Sequence, residues 1–528
     1  MTPFDKRLRA LAPESLAGIR RGVEKEGLRV KADGTLADTP HPAGLGSALT
    51  HEHITTDFSE SQLELITGVH ADIDGCLREL TEIHQVVYRQ LGDELLWCSS
   101  MPCKLPEDEL IPIGRYGSSN VGRAKTVYRN GLAHRYGRRM QTISGIHYNF
   151  SLPEAAWPEL QRADARDGPA AAYQSDAYFG LIRNFRRHSW LVLYLLGASP
   201  AVCSTFVAGR QHELQPLAEG TLYMPWGTSL RMGPLGYQSD AQGSLAVSFN
   251  GLKSYAASLN PALTEPYPPY EAIGIRAGDE YRQLATSLLQ IENEFYGTIR
   301  PKQRIRPGER PLHALGERGV EYVEVRLVDI DPFLPIGIDA RAMRLLDVFL
   351  LHCLLSDSPP DTPEEIANIS RNQHQVAASG REPGLQLCRN GAQQELAQWG
   401  LELLDECAPI AEALDGAHRG SAYRDALSGA RAALREAAAT PSARVLRAMR
   451  DDFGDSYVAF AAAQSQRHRD ILLHAPLAAE TEQRYARMAA DSVSAQRQIE
   501  SSDSVPFETY RRQYISQDLV SGLQLRSA

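Results

Sequence analysis

A chain of 528 residues with 43% hydrophobic composition can bury a substantial core, and its length predicts either several domains or one large domain with additions. Its 65 acidic against 55 basic side chains give a formal net charge of -10, which repels a polyanion and argues against nucleic acid as a partner. The most apolar stretch, Trp190 to Val202, is shorter than the ~20 residues of a spanning helix and is interrupted by Gly197, Ser199 and Pro200, so a buried core segment is expected there and no membrane partner.

The first residues, MTPFDKRLRALAPESL, spread charge through their apolar positions and lack the core of a secretory signal, which predicts a cytoplasmic protein. Seven cysteines (Cys76, Cys98, Cys103, Cys203, Cys353, Cys388, Cys407) include no C-x-x-C pair and are expected to be packed, mostly reduced thiols. From about Gly18 to Arg381, strand-like runs alternate with helical stretches and Gly/Pro-rich loops, predicting a mixed α+β architecture.

In RRGVEKEGLRV, Glu24 and Glu26 project from one face of a strand, and two neighbouring carboxylates repel unless a cation lies between them. His51-Glu52-His53 is not H-E-x-x-H and brings no cysteine, so an exposed polar loop is expected rather than a zinc site. In ITTDFSESQLELIT, Asp57 and Glu64 come to one side if the segment turns helical; the alternative is a helix start with Asp57 as N-cap and Glu60 in the capping-box position. TISGIHYNFSL reads as a strand with Ile146, Tyr148, Phe150 and Leu152 on the core side and His147 and Asn149 opposite. QIENEFY reads as another strand, with Gln290, Glu292, Glu294 and Tyr296 on one face. GVEYVEVRLVDI places Glu324 and Arg326 on the face away from Val323, Val325 and Leu327.

From about Gln393 the composition shifts to Ala, Arg, Glu, Gln and Leu at helical spacing, predicting a helical appendage that packs on the preceding part. Neither G-x-x-x-x-G-K-[ST] nor G-x-G-x-x-G occurs, so any nucleotide is held by another device. Any one strand pair is explained by the wet face of an antiparallel sheet. Together, oxygen ligands from several strands plus arginines are what a sheet needs to hold Mg²⁺ and a polyphosphate.

These segments together resemble the proteobacterial type of glutamate-cysteine ligase. The resemblance is carried by GVEKEGLRV, ADGTLADTPHPAGLGSALTHEHITTDFSESQLELIT, SMPC, YGSSNVGRAKTVYRNGL, RYGRRMQTISGIHYNFSLP, YLLGASPAV, TSLRMGPLGY, LLQIENEFYGTIRPK and GVEYVEVRLVDIDPFLPIGI, spanning Gly22 to Ile338. It weakens after about Pro383 and offers no counterpart for Gln517 to Ala528. It implies a curved, mainly antiparallel sheet of the glutamine synthetase and carboxylate-amine ligase type, with a catalytic part over 1–385 and a helical region over 386–528. The implied metal ligands are Glu24, Glu26, Asp57, Glu64, His147 and Glu324, with Arg129 and Arg326 near the transferred phosphate. Arg231 and Tyr296 match glutamate-binding positions, and Phe58, Tyr128 and Tyr237 match walls of a cysteine pocket. The implied reaction joins L-glutamate to L-cysteine with ATP and Mg²⁺ through γ-glutamyl phosphate, in a monomer subject to feedback by glutathione. The softer imidazole of His147 predicts that Mn²⁺ also supports activity. A sister ligase with another amine acceptor, or a metal- or nucleotide-binding protein without catalysis, are the alternatives, separated by acceptor comparison and by integrity of the carboxylate set.

Overall fold

The computed structural model describes residues 1–236, 240–243, 245–306 and 308–516. Its centre is an antiparallel sheet built from β1 (Arg20–Val30), β2 (Ile54–Thr56), β3 (Gln62–Ile66), β4 (Leu95–Leu96), β5 (Ile146–Ser151), β6 (Ile299–Lys302) and β7 (Tyr322–Val328). The order is β6-β7-β5-β1-β3-β2, with β4 pairing the far end of β1 through Arg29 and Leu96. The alternation read in the sequence sets the two faces. Val23, Leu63, Leu65, Ile146, Tyr148, Phe150, Val323 and Val325 are buried in one continuous core. That core face is covered by the helices Ile73–Gln90, Ala170–Leu196 and Ala340–Leu355. The expected core segment from Trp190 is therefore the end of a 27-residue helix followed by the short strand Ala201–Cys203.

The core face of β1 also carries two buried cations. Arg21 forms a fully buried pair with Asp347 at 2.9 Å, and Tyr148 and Tyr423 donate their hydroxyls to the same carboxylate at 2.7 and 3.3 Å. Lys25 Nζ lies 3.0 Å from a ring nitrogen of His84. A bulge between Val325 and Val328 breaks the β7–β5 ladder, and the Arg326 amide donates to Thr298 O at 2.8 Å instead.

Three expectations change. Asp57 and Glu64 are not on a helix: β2 and β3 form a hairpin, the Asp57 amide donating to Gln62 O at 3.0 Å, and Glu60 instead accepts from the amides of His41 and Arg115. Extended backbone wins because Ile54, Leu63 and Leu65 must reach the core on alternate positions. Glu292–Glu294 is a short 3-10 turn, not a strand, with Glu292 paired to Arg310 and Glu294 to Arg135, both at 2.8 Å. His51 and His53 are buried rather than exposed: His51 Nδ1 accepts from the amides of His53 and Ile54, and His53 Nδ1 lies 2.7 Å from Ile66 O, fixing the turn into β2.

The region after Gln386 opens with a hairpin, Gln386–Arg389 and Ala392–Glu395, before the helices begin. Leu403, Leu404, Ile410 and Leu427 from those helices belong to the same core as Ile19 and Val23. All seven cysteines lie among the described residues and are free, six of them buried. No helix among the described residues is long and apolar enough to cross a membrane.

Candidate active site

The outward face of the sheet collects charge by register. Glu24 on β1 stands opposite His147 on β5, Glu26 opposite Glu64 on β3, and Glu324 on β7 between Asn149 and Arg300. Paired positions in adjacent strands put side chains side by side, so polar residues from five strands meet over the sheet centre. The β2–β3 hairpin brings Asp57 to the rim. The helix Asn120–Tyr136, capped by Ser119 accepting from Gly122 N at 3.2 Å, lies across the opening and supplies Tyr128 and Arg129.

The result is a cavity of about 320 Å³ lined by Glu24, Glu26, Asp57, Glu64, His147, Glu324, Arg129, Arg326, Phe58, Tyr128 and Tyr296, among others. Tyr237 lies outside the described residues. Arg231 does not line the cavity. It is buried behind it, donating to Arg326 O at 2.6 Å and lying 3.8 Å from Asp329. From there its guanidinium supports the backbone of the strand that carries Arg326.

Within the cavity, Glu24 Oε2 is 3.1 Å from His147 Nδ1 and Glu24 Oε1 accepts from Asn149 at 2.9 Å. Glu26 accepts from the Gly145 amide at 2.8 Å. Glu324 accepts from Lys302 and Arg326, both at 3.0 Å. Arg129 Nε donates to Asp57 O, and the Tyr116 hydroxyl donates to the same carbonyl at 3.0 Å. The guanidinium of Arg129 and the ammonium of Lys125, one turn apart, lie 4.5 and 5.2 Å from the centre of the Tyr116 ring.

These contacts divide the carboxylates. Burial raises Glu64 well above the usual carboxylate range, and repulsion from Glu24, Asp57 and Glu26 raises it further. Burial and Asp57 raise Glu26. Burial also works against Glu324, but Lys302 and Arg326 outweigh it and hold the group well below the usual range. Glu24 is likewise lowered overall, the His147 contact overcoming burial. Burial and the neighbouring Arg129 bring Lys125 down to about 8.

A divalent cation fits this donor set. Glu24, Glu64 and His147 each offer an atom within 4.8 Å of the others, a spacing at which one ion can bridge them. His147 Nε2 is buried without a hydrogen-bond partner, 3.4 Å from Glu26 Oε1. An orphaned ring nitrogen beside crowded carboxylates is what a ligand set looks like before its ion is counted.

Lys125, Gln141, Arg300, Lys302 and Tyr514 also line the cavity and were not singled out from the sequence. Lys125 had a signal, its four-residue spacing from Arg129 on one helix, and so did Arg300 and Lys302, which alternate along IRPK as Glu324 and Arg326 do along β7. Tyr514 had none, because its position depends on how a distant helix docks.

The glutamate-cysteine ligase family profile matches residues 7–376. The chain belongs to the glutamate-cysteine ligase family. Relatives are similar beyond the profile's limits: glutamate–cysteine ligase of Pseudomonas aeruginosa is 51% identical over 493 residues, covering 93% of each chain, and that of Alcanivorax borkumensis is 46% identical over 523 residues, covering 97% of this chain and 99% of its own. The crystal structure of glutamate–cysteine ligase from Francisella tularensis in complex with AMP superposes with a TM-score of 0.89 at 36% identity, covering 94% of this chain and 97% of that one. The chain is therefore a glutamate–cysteine ligase, an enzyme of the first step of glutathione synthesis.

Proposed function

We propose that this ligase activates the γ-carboxylate of L-glutamate with ATP and Mg²⁺ and transfers the resulting acyl group to the amine of L-cysteine. The observation that carries the reading is the convergence of Glu24, Glu26, Asp57, Glu64, His147 and Glu324 with Arg129 and Arg326 on one cavity. AMP in the Francisella relative supports a nucleotide as co-substrate.

A carboxylate does not condense with an ammonium in water, because hydroxide is a poor leaving group. In the proposed sequence, a γ-carboxylate oxygen of glutamate attacks the terminal phosphorus of ATP, ADP departs, and γ-glutamyl phosphate forms. The deprotonated cysteine amine then attacks the acyl carbon, the C–O bond to phosphate breaks, and inorganic phosphate leaves with the peptide-like product. Two anions must first approach, a repulsion of several kcal/mol in a dry site. Bound Mg²⁺ would neutralise the polyphosphate and the carboxylate as they meet, with Mn²⁺ accepted through His147. Glu24, Glu64 and His147 would hold one ion, with Glu26, Asp57 and Glu324 completing the shared set. Arg129 and Arg326 bind phosphoryl oxygens as charge shifts to the leaving group, Arg129 being aimed by Asp57 O and Tyr116 and Arg326 by Glu324. Tyr296, held by Gln141 at 2.9 Å, sits on the glutamate side, and buried Phe58 with Tyr128 bounds the acceptor pocket.

We assign this chemistry to residues 1–385, with the helices after 386 bracing it, in a monomer. Glutathione contains both the γ-glutamyl and cysteinyl units and should compete with glutamate. The deciding experiment measures phosphate release from ATP with Mg²⁺ and glutamate, with and without cysteine, alongside mass analysis. Cysteine-dependent release with γ-glutamylcysteine is expected; release driven instead by 2-aminobutyrate or alanine would move the acceptor assignment.

A further inference from the structure

A second cavity, of about 440 Å³, shares no residue with the carboxylate cavity and lies where the hairpin Gln215–Ala218 and Thr221–Tyr223 meets the helix Pro441–Phe453. Leu217, Tyr223 and Leu446 give it an apolar wall, and Trp226 stands beside them with 45% of its surface exposed. The other four tryptophans of the chain, Trp97, Trp157, Trp190 and Trp399, are buried. Among the described residues no ring or cation lies against Trp226, so its indole offers an open flat surface to whatever enters the cavity.

Arg381, just past the helix Pro363–Ser379, enters the same cavity and is only 8% exposed. Its Nε donates to Gly227 O at 3.2 Å, and its Nη2 donates to Pro225 O at 2.7 Å and Gly227 O at 3.1 Å, which leaves Nη1 uncommitted. No carboxylate among the described residues pairs with it. The seven other buried arginines, from Arg21 to Arg511, each lie within 4.0 Å of one. Burial lowers Arg381 to about 10, so it is still a cation at neutral pH. A buried cation without a counter-charge is costly, and an anion from solution offsets that cost.

Two more cations face this space. Arg447 and Arg450, one turn apart on the helix Pro441–Phe453, line the cavity and are exposed, and neither pairs with a carboxylate among the described residues; Arg447 reaches only Ala438 O, at 3.4 Å. Asp455 is the one acidic residue in the lining, so three arginines against it leave two positive charges, on a chain whose own formal charge is -10. Guanidinium forks take carboxylate and phosphate oxygens two at a time. We propose that this cavity binds a small organic anion, a phosphoester or a dicarboxylate with a planar body, its charged group held among Arg381, Arg447 and Arg450 and its body laid against Trp226.

Trp226 supplies the readout, because acrylamide quenches an exposed indole ahead of buried ones and an anion held in the carboxylate cavity does not shield it. Acrylamide quenching of the full chain is titrated with phenyl phosphate, with isophthalate and with benzyl alcohol, for wild type, Arg381→Gln and the double variant Arg447→Ala/Arg450→Ala. Saturable protection of Trp226 is expected from phenyl phosphate, from isophthalate or from both, and none from benzyl alcohol; phenyl phosphate alone identifies a phosphoester site and isophthalate alone a dicarboxylate site. The double variant should bind the protecting anion about tenfold more weakly or worse, since each lost arginine removes a charge-assisted hydrogen bond. Arg381→Gln should abolish protection. Because Arg381 also holds Pro225 and Gly227, the double variant, altered only at exposed side chains, decides the matter where the glutamine disturbs that loop. No protection by either anion, protection by benzyl alcohol equal to theirs, or protection unchanged in the double variant overturns the assignment.

Discussion

Glu64 is the residue that most needs company. It lies between Glu24, Glu26 and Asp57 in a buried site, and all three raise the cost of its charge. A divalent cation reverses that balance. Glu64→Gln should therefore lower turnover by about 10²-fold, since a lost ligand weakens both metal affinity and geometry. The same variant in chelator should melt at or above the wild-type temperature, whereas Mg²⁺ should raise the melting temperature of wild type only. Differential scanning calorimetry with EDTA and with Mg²⁺ checks both statements. Arg129 presents a different case, because its Nε is committed to Asp57 O and its face to Tyr116. Lysine keeps the charge and loses the planar fork, so Arg129→Lys should cut kcat by about 10²-fold while KM for ATP moves less than about threefold. Equal changes in kcat and KM would remove Arg129 from the phosphoryl-transfer step.

At the level of strands and helices, alternation was legible and register was not. The sequence shows that Glu24 and Glu26 share a face, as do Glu324 and Arg326, because a strand's side chains repeat every two residues. It does not show that Glu26 meets Glu64 or that Glu24 meets His147, since pairing is decided by which apolar sets interlock across the sheet. The Asp57–Glu64 segment shows where such reading stops: SESQ favours a helix start locally, and burial of Leu63 and Leu65 overrides it. The Glu292–Glu294 turn is another, its glutamates being structural partners of Arg310 and Arg135. Resemblance to the family, rather than spacing, suggested roles for individual residues. Gly145 is the joint between these levels. Its amide holds Glu26, and a Cβ there would come within 2.1 Å of the buried Arg231 guanidinium. Gly145→Ala should leave the circular dichroism spectrum unchanged, displace Arg231 and with it the strand carrying Arg326, and reduce kcat/KM by about tenfold or more.

Across the whole molecule, buried histidines make the fold sensitive to acid. Burial lowers His41, His51 and His468 to about 4 and His188 to about 3, from an ordinary value of 6.5. Between pH 6.5 and 4 the unfolded chain binds protons at these sites and the folded chain does not, so stability falls as pH falls through that window. Each group contributes a slope of up to about 1.4 kcal/mol per pH unit. Thermal melts should drop steadily below pH 6.5, and His468→Gln should flatten the drop; a melting temperature constant from pH 6.5 to 4.5 would contradict this account.

The helix Phe507–Ile515, through Tyr514, closes a wall of a cavity whose first carboxylates lie at Glu24 and Glu26. A ribosome delivers those carboxylates early and Tyr514 among its last described residues. While synthesis is under way, the half-made protein holds a sheet rich in oxygen ligands but no finished pocket. A product of translation aborted before Tyr514 would carry the acidic strands without the wall that completes their enclosure.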